Sequence, residues 1–399
     1  MVGKRLGHLR CCRGKGMHSV ILCICSNDAE KVMCMMMKIV ELMLAGAALL
    51  SFLLLLLPRT ALGCRWAVYA GDRDAPASTL LTSPSHSLCK QAVEPAYVPD
   101  WENQRLFTPE STSARNHDVN LDGWGFAYYD DEGRVVRKRS GNAAAADGET
   151  DPEILDISEN VRSKVMFGHI RAATDGDASD LDSHPFTFNN IVFMHNGGIS
   201  GKEKLRASIS CERAKSLIDG HTDSEIAGAV FANHLVGDVC KRDTFSKKEL
   251  EDAMIFMLDS VSACDESTPG SSLNFAASDG RHVIATRYRN CLKDEPPSLY
   301  YRKLEHGLFV ASEPLQLEEA KEWTMLAKDQ LLSYDSKSSE LSLRCLTQAC
   351  EEELLHRAWQ RVHLSGVFLS CISLAIAAFV VFRIRSIVKH HYIHRKRLH

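Results

Sequence analysis

No Asn-x-Ser/Thr sequon occurs anywhere in the 399 residues, so one common mark of secreted proteins is missing. There is no GxxxxGK[ST] phosphate loop and no dinucleotide fingerprint following a strand, which argues against the commonest ATP and NAD(P) sites. No unit of 20–50 residues repeats, which excludes solenoids and propellers. Nor is either sign of charge in large excess, with 47 Lys+Arg against 51 Asp+Glu. A chain that is 45% hydrophobic and 25% charged, with 14 cysteines, is not a disordered tail, a collagen-like repeat or a disulfide miniprotein.

Where the charge sits is more informative than its total. Residues 1–38 carry seven Lys/Arg and two acids, and residues 383–399 carry six Lys/Arg, four His and no acid. Residues 39–63 balance, so an overall net charge of −4 leaves the stretch 64–382 at −15. An acidic body makes nucleic acid a poor partner.

Two uncharged apolar runs flank that body. The first is Leu42–Leu57, preceded by Lys38 and followed by Pro58, Arg59 and the small residues Ala61 and Gly63. This pattern reads as a secretory signal cut after Gly63, with an uncleaved signal anchor as the alternative. About 37 residues precede Lys38, an unusual length, and Met35, Met36 and Met37 are alternative starts. The second run, Leu364–Phe382, has 19 residues. At about 1.5 Å each it reaches about 28 Å, enough to cross a bilayer core of roughly 30 Å. Arg383, Arg385 and Lys389 follow it, so the positive-inside rule puts the C-terminus in the cytosol. The expected protein is a single-pass membrane protein of the secretory pathway or cell surface, with a lumenal or extracellular body. Its divisions are a leader (1–63), a globular domain (64–345), a linker (346–363), a transmembrane helix (364–382) and a basic tail (383–399).

Eight cysteines lie in the body. With Cys64 set aside, Cys89, Cys211, Cys240, Cys264, Cys291, Cys345 and Cys350 allow at most three disulfides, and they show neither a Cys-x-x-Cys pair nor a Cys/His metal spacing. Zinc is therefore not supported. Alternation and turn residues predict strands over Arg65–Ala70, Gly123–Tyr129, Val135–Arg139, Val165–Arg171, Ile191–Met194, Leu273–Ala277, His282–Tyr288, Leu299–Lys303 and Leu308–Ala311. Helices are predicted over Pro152–Lys164, Asp223–His234 and Lys247–Ser262, the last with a Leu250/Met254/Met257/Leu258 stripe that reads as core packing. Strands outnumber helices without a regular βαβ order, so the class is α+β with mainly antiparallel sheet.

Several strings, in order, resemble the class II glutamine amidotransferases, whose nucleophile is an N-terminal cysteine. They are Cys64-Arg65-Trp66 with Tyr69 and Gly71, Leu121–Gly125, Gly168–Thr174, His184–Phe186, His195–Ile199 and Asp223–Glu225. Leu273–Phe275 with Ser278–Gly280, and Ala311–Pro314 with Trp323, narrow the likeness to a stand-alone branch. That branch includes the glutathione-degrading amidotransferase subunits and the ergothioneine-pathway γ-glutamyl hydrolases. The resemblance covers about residues 64–345 and implies a four-layer α/β/β/α N-terminal-nucleophile hydrolase sandwich.

The chemistry of those residues supports what the resemblance implies. A thiol at a chain's own N-terminus can use its α-amine as base, because an α-amino group titrates near pH 7.7–8.0 and a Cys thiol near 8.5. Cleavage after Gly63 would therefore create the base for Cys64. Asn196 and the backbone N–H of Gly197 match the family's oxyanion donors. Arg171 can grip a substrate α-carboxylate in two hydrogen bonds and Asp223 can pair with the α-ammonium. Thr174 and Asp122-Gly123 are expected to shape the same pocket, while His184 and His195 are expected to be structural, hydrogen-bonding histidines. No metal or organic cofactor is implied.

After residue 345 only the linker and the apolar helix follow, so no synthase half is expected. The expected activity is hydrolysis of a small γ-glutamyl amide through a glutamyl-thioester. Two other readings stay open: a glutaminase subunit passing ammonia or a γ-glutamyl group to a separate protein partner, and an inactive membrane scaffold. Loss of Cys64, Arg171, Asn196 or Asp223 would favour the scaffold, and all four are present.

Overall fold

The computed structural model describes residues 63–93, 120–172, 178–235, 242, 244–263, 270–291 and 295–359. Both apolar runs, the leader up to residue 62, the basic tail and Thr174 lie outside them. Among the described residues no helix is long and apolar enough to cross a membrane.

The strands, in chain order, begin with β1 (Arg65–Pro76), β2 (Trp124–Tyr129), β3 (Val135–Ser140), β4 (Ala145–Ala146), β5 (Glu149–Thr150), β6 (Arg162–Ile170), β7 (Phe186–Phe188) and β8 (Ile191–Gly198). They continue with β9 (Ser272–Ser278), β10 (His282–Arg287), β11 (Tyr300–Lys303), β12 (Gly307–Ala311), β13 (Thr324–Met325), β14 (Gln330–Asp335) and β15 (Glu340–Cys345). The helices are α1 (Ser78–Leu81), α2 (Leu88–Val93), α3 (Pro152–Asn160), α4 (Lys202–Ala207), α5 (Glu212–Ser216), α6 (Asp223–His234) and α7 (Lys247–Ser260).

The strands make two large sheets. One has the order β13-β11-β12-β1-β6-β2-β3, the other β15-β14-β10-β9-β8-β7, and β4-β5 form a small hairpin. Strand parity decides what each sheet buries, because alternate residues point to opposite faces. On β1, Trp66, Val68 and Ala70 join Val165 and Phe167 of β6, Val192 and Met194 of β8, and Val283 and Ala285 of β10 in one apolar layer between the sheets. Ala67 and Tyr69, one residue out of phase, pack instead with Leu80, Leu81, Leu88 and Ile154 from α1, α2 and α3. Across the second sheet, Phe193 and Phe275 pack with Val230 and Phe231 of α6 and Leu250, Met254 and Met257 of α7. Helix, sheet, sheet and helix therefore stack in four layers. The methionine stripe is core, as its spacing indicated.

The short elements β4, β5, β7, α1, α2, α4 and α5 were not expected from the sequence, and two larger differences bear on the sheets. The helix starting at Pro152 stops at Asn160, and Arg162–Ile170 form a strand inserted between β1 and β2. Val161 is already extended, and Arg162 and Ser163 pair with β1 while Met166–Ile170 of the same strand pair with both β1 and β2, which outweighs the helical pattern of Arg162–Lys164. Second, β14 and β15 extend their sheet in a stretch where no strand was expected; β15 carries only partly buried or exposed residues, which weakens any alternation signal.

Cys345 and Cys350 are disulfide-bonded, tying β15 to the helix over 348–359. Cys291 is also disulfide-bonded, whereas Cys64, Cys89 and Cys211 are free thiols.

Candidate active site

The same parity that builds the inter-sheet layer builds the site at one end of it. Arg65 pairs with Ile170 and Trp66 with His169, so the chain before β1 runs alongside the residues after β6. Cys64 shares the inner face with Trp66, and Arg171 shares it with His169 and Phe167. Asn196, in phase with Val192 and Met194, faces inward from the opposite sheet.

Cys64 is partly exposed, and its Sγ lies 3.4 Å from the backbone nitrogen of Ala172, next to Arg171. Burial pushes its thiol above the ordinary value; the Ala172 hydrogen bond and the charges of Arg171 and Arg65 pull the other way without cancelling it. With Gly63 attached, this is a protonated thiol in need of a base.

Asn196 is buried and its Oδ1 has no hydrogen-bond partner. A Cβ on Gly63 would lie 2.5 Å from that oxygen, which places the residue before the nucleophile against the Asn196 carboxamide. Gly197 follows with φ of 153°, and a Cβ there would meet the Ser272 carbonyl oxygen at 2.0 Å. Only glycine fits that backbone.

Arg171 is buried and braced by main chain: its N–H donates to the Gly123 carbonyl at 2.8 Å and its Nη1 to the Asp122 carbonyl at 3.4 Å. Asp122-Gly123 thus supports the arginine through its carbonyls. Asp223 opens α6, where the Thr222 hydroxyl caps the Glu225 N–H. Its Oδ2 accepts from the Ile199 N–H at 2.6 Å, fastening the helix start to the segment that follows Gly198.

Three buried histidines surround this end. His195 Nε2 lies 2.8 Å from the Ser272 carbonyl and must carry a proton there. The Ser224 hydroxyl lies 2.8 Å from His195 Nδ1 and 3.1 Å from Asp223 Oδ1, and can donate its one proton to only one of them at a time. Burial lowers the His195 pKa, partly offset by the Asp223 charge and the Ser272 hydrogen bond. His169 donates from Nε2 to the His195 carbonyl at 3.2 Å, joining the two sheets, and burial brings its pKa down to about 3. His184 differs from expectation: neither ring nitrogen has a hydrogen-bond partner, and the ring stacks 4.1 Å from His169 and meets Phe186 edge-on. It is held by its faces. Burial keeps it neutral, its pKa well below the ordinary value.

On the outer face of β1 lies a cluster that the sequence reading left without a role. Arg65 Nε donates to Glu313 Oε1 at 2.6 Å, and His86 Nε2 donates to Glu313 Oε2 at 2.6 Å. Glu313 is fully buried; burial alone would raise its pKa, but Arg65 and His86 outweigh it and hold the carboxyl below the ordinary value. Trp66 N–H donates to the Ser312 hydroxyl at 3.1 Å, so Ala311–Pro314 grips β1 immediately after the nucleophile. The pairing spans 248 residues and has no local signal, and His86 belongs to no string that stood out. Among the described residues no cluster of His, Cys, Asp and Glu could hold a metal ion.

A family profile described as glutamine amidotransferases class-II matches residues 107–353. A probable glutamine amidotransferase of Saccharomyces cerevisiae, DUG3, is 31% identical over 310 residues, covering 68% of this chain and 81% of its own length. The gamma-glutamyl-hercynylcysteine sulfoxide hydrolase of Mycolicibacterium smegmatis is 26% identical over 203 residues, covering 49% of this chain and 70% of its own. Among solved structures, a glutamine aminotransferase class-II domain protein from Silicibacter pomeroyi aligns over 71% of this chain and all of its own, with TM-score 0.44 and 20% identity.

Proposed function

The chain belongs to the class II glutamine amidotransferases, and from that premise we propose that it is a membrane-anchored hydrolase of γ-glutamyl amides with Cys64 as its N-terminal nucleophile. The observation that carries the reading is the meeting of the two sheets at one end. Cys64 and Arg171 lie on one inner face, and Asn196 faces them from the other sheet, with Gly197 next to it in the same strand.

In this mechanism a signal peptidase cuts between Gly63 and Cys64, converting an amide nitrogen into an α-amine. The amine takes the thiol proton, and Sγ attacks the γ-carbonyl carbon while Asn196 and the Gly197 N–H receive the charge forming on oxygen. The amine returns the proton to the departing nitrogen, leaving a glutamyl-thioester. Water then adds to the thioester carbonyl, again losing a proton to the amine, and glutamate leaves as Sγ recovers it. Arg171 holds the substrate α-carboxylate and Asp223 the α-ammonium; Thr174, outside the described residues, is assigned to the same pocket on the family resemblance alone.

Leu364–Phe382 would anchor the protein, placing the catalytic domain in the lumen or outside the cell and the basic tail in the cytosol. The likeness to a relative named for a γ-glutamyl sulfoxide favours a γ-glutamyl peptide or thiol conjugate over free glutamine. The test is kcat/KM of the mature full-length chain in detergent for glutamine, glutathione and a γ-glutamyl anilide. A tenfold preference for glutamine, about 1.4 kcal/mol in the transition state, would point instead to an ammonia donor for a partner protein.

A further inference from the structure

The strings at Cys64–Trp66 and Ala311–Pro314 meet in space, and the mechanism above does not use that meeting. Arg65 Nη1 donates to the Gly63 carbonyl and, at 3.3 Å, to the Cys64 carbonyl. A carbonyl oxygen lies no more than about 2.6 Å from the nitrogen of its own peptide, given bonds of about 1.23 and 1.33 Å. The guanidinium therefore stands within roughly 5 Å of the Cys64 nitrogen, counting one hydrogen bond and one peptide.

It cannot drift from there. Glu313 is fully buried, holds Arg65 through one oxygen and His86 through the other, and belongs to the segment that also grips the Trp66 main chain through Ser312. Among the described residues, the charges acting on Cys64 are those of Arg171 and Arg65, with Glu313 behind Arg65; His169 pairs with Trp66 on the neighbouring strand, and Asn196 approaches from β8 uncharged.

We propose that Arg65, clamped by Glu313, is a positioning residue for the N-terminal nucleophile: it holds the first carbonyl of the mature chain and keeps the new α-amine in its free-base form. The inference rests on the proposed cleavage after Gly63. When Gly63 leaves, Nη1 loses one carbonyl and keeps the other, so the amine is released into a site already oriented by the guanidinium. A fixed cation beside an amine disfavours the ammonium form, and a base works only when unprotonated. The same charge favours the thiolate.

The experiment is the pH dependence of kcat/KM with a γ-glutamyl anilide, using the mature full-length chain as wild type, Arg65→Lys, and the double variant Arg65→Met/Glu313→Gln, which leaves no unpaired buried carboxylate. The double variant should move the acid limb up by about one pH unit and lower kcat tenfold or more, with KM within about twofold. Arg65→Lys should keep the acid limb near wild type. An unchanged acid limb in the double variant overturns the proposal. The rate of iodoacetamide alkylation at Cys64 against pH reads the same groups without turnover. A wild type that hydrolysed no γ-glutamyl substrate would sink the proposed function, while the alkylation profile would still decide the role of Arg65.

Discussion

Gly63 lies directly against Asn196: a Cβ added to the glycine would stand 2.5 Å from the Asn196 Oδ1, an oxygen with no other partner. In the uncut chain the residue before the nucleophile thus fills space beside the side chain assigned to the oxyanion. Cleavage would supply the base and clear this space together. A variant blocked at the cut, such as Gly63→Val, is expected to accumulate precursor with no γ-glutamyl hydrolysis. N-terminal sequencing and activity of the same preparation check it, and an active precursor would refute the requirement for cleavage.

Cys64→Ser should lose nearly all turnover while keeping the thermal midpoint of the mature protein, because a partly exposed residue at the start of β1 contributes little core. Full turnover would assign the chemistry to a different thiol.

Asn196→Ala and Arg171→Ala should separate kinetically. Loss of an oxyanion donor typically lowers kcat about 100–1000-fold with little change in KM, whereas loss of a buried charge partner costs about 2–5 kcal/mol and appears mainly in KM. Asp223→Ala should follow Arg171. Steady-state kinetics with one γ-glutamyl substrate decides; an Asn196→Ala enzyme with unchanged kcat removes that residue from the oxyanion site.

Gly197→Ala is expected to be destabilised as well as inactive. The backbone sits at φ 153° and the added methyl meets a carbonyl oxygen at 2.0 Å, so the strand pair β8-β9 must part. Strain of this kind costs about 1–3 kcal/mol before the clash is counted. Thermal unfolding beside Asn196→Ala checks it, since the asparagine variant should unfold near wild type.

Acid should weaken the fold through its buried histidines. His169 has its pKa lowered to about 3 and His184 lies well below its ordinary value, both by burial, while unfolded histidines titrate near 6.5. Below pH about 6.5 the unfolded chain binds protons that the folded chain refuses, so stability is full above that pH and falls as pH drops toward the folded values. His184→Phe keeps a stacked ring without a proton acceptor and should flatten the slope of unfolding midpoint against pH between about 6.5 and 4. An unchanged slope would mean that other groups carry the acid response.

The sequence disclosed the site better than the scaffold around it. Cys64, Arg171, Asn196 and Asp223 stand inside short strings whose order survives in the chain, and strand parity brings three of them to one end of the inter-sheet layer. The limit of α3 was not legible, because what ends it is pairing of Arg162–Ile170 with β1 and β2. Nor was the Arg65–Glu313–His86 cluster, whose members are joined only by the return of β12 alongside β1. His184 shows a different limit. Its motif marks a buried ring, and only packing reveals that the ring is held by stacking on His169.

The central claim is that Cys64 begins the mature chain and carries the glutamyl group. It is tested most directly by quenching the mature full-length protein in acid during turnover of a γ-glutamyl anilide and reading the mass of its N-terminal peptide. The account predicts a peptide that starts at Cys64, with a free α-amine and one glutamyl group on its sulfur. A peptide that begins upstream of Cys64 in active protein, or a glutamyl group on any other residue, would contradict it.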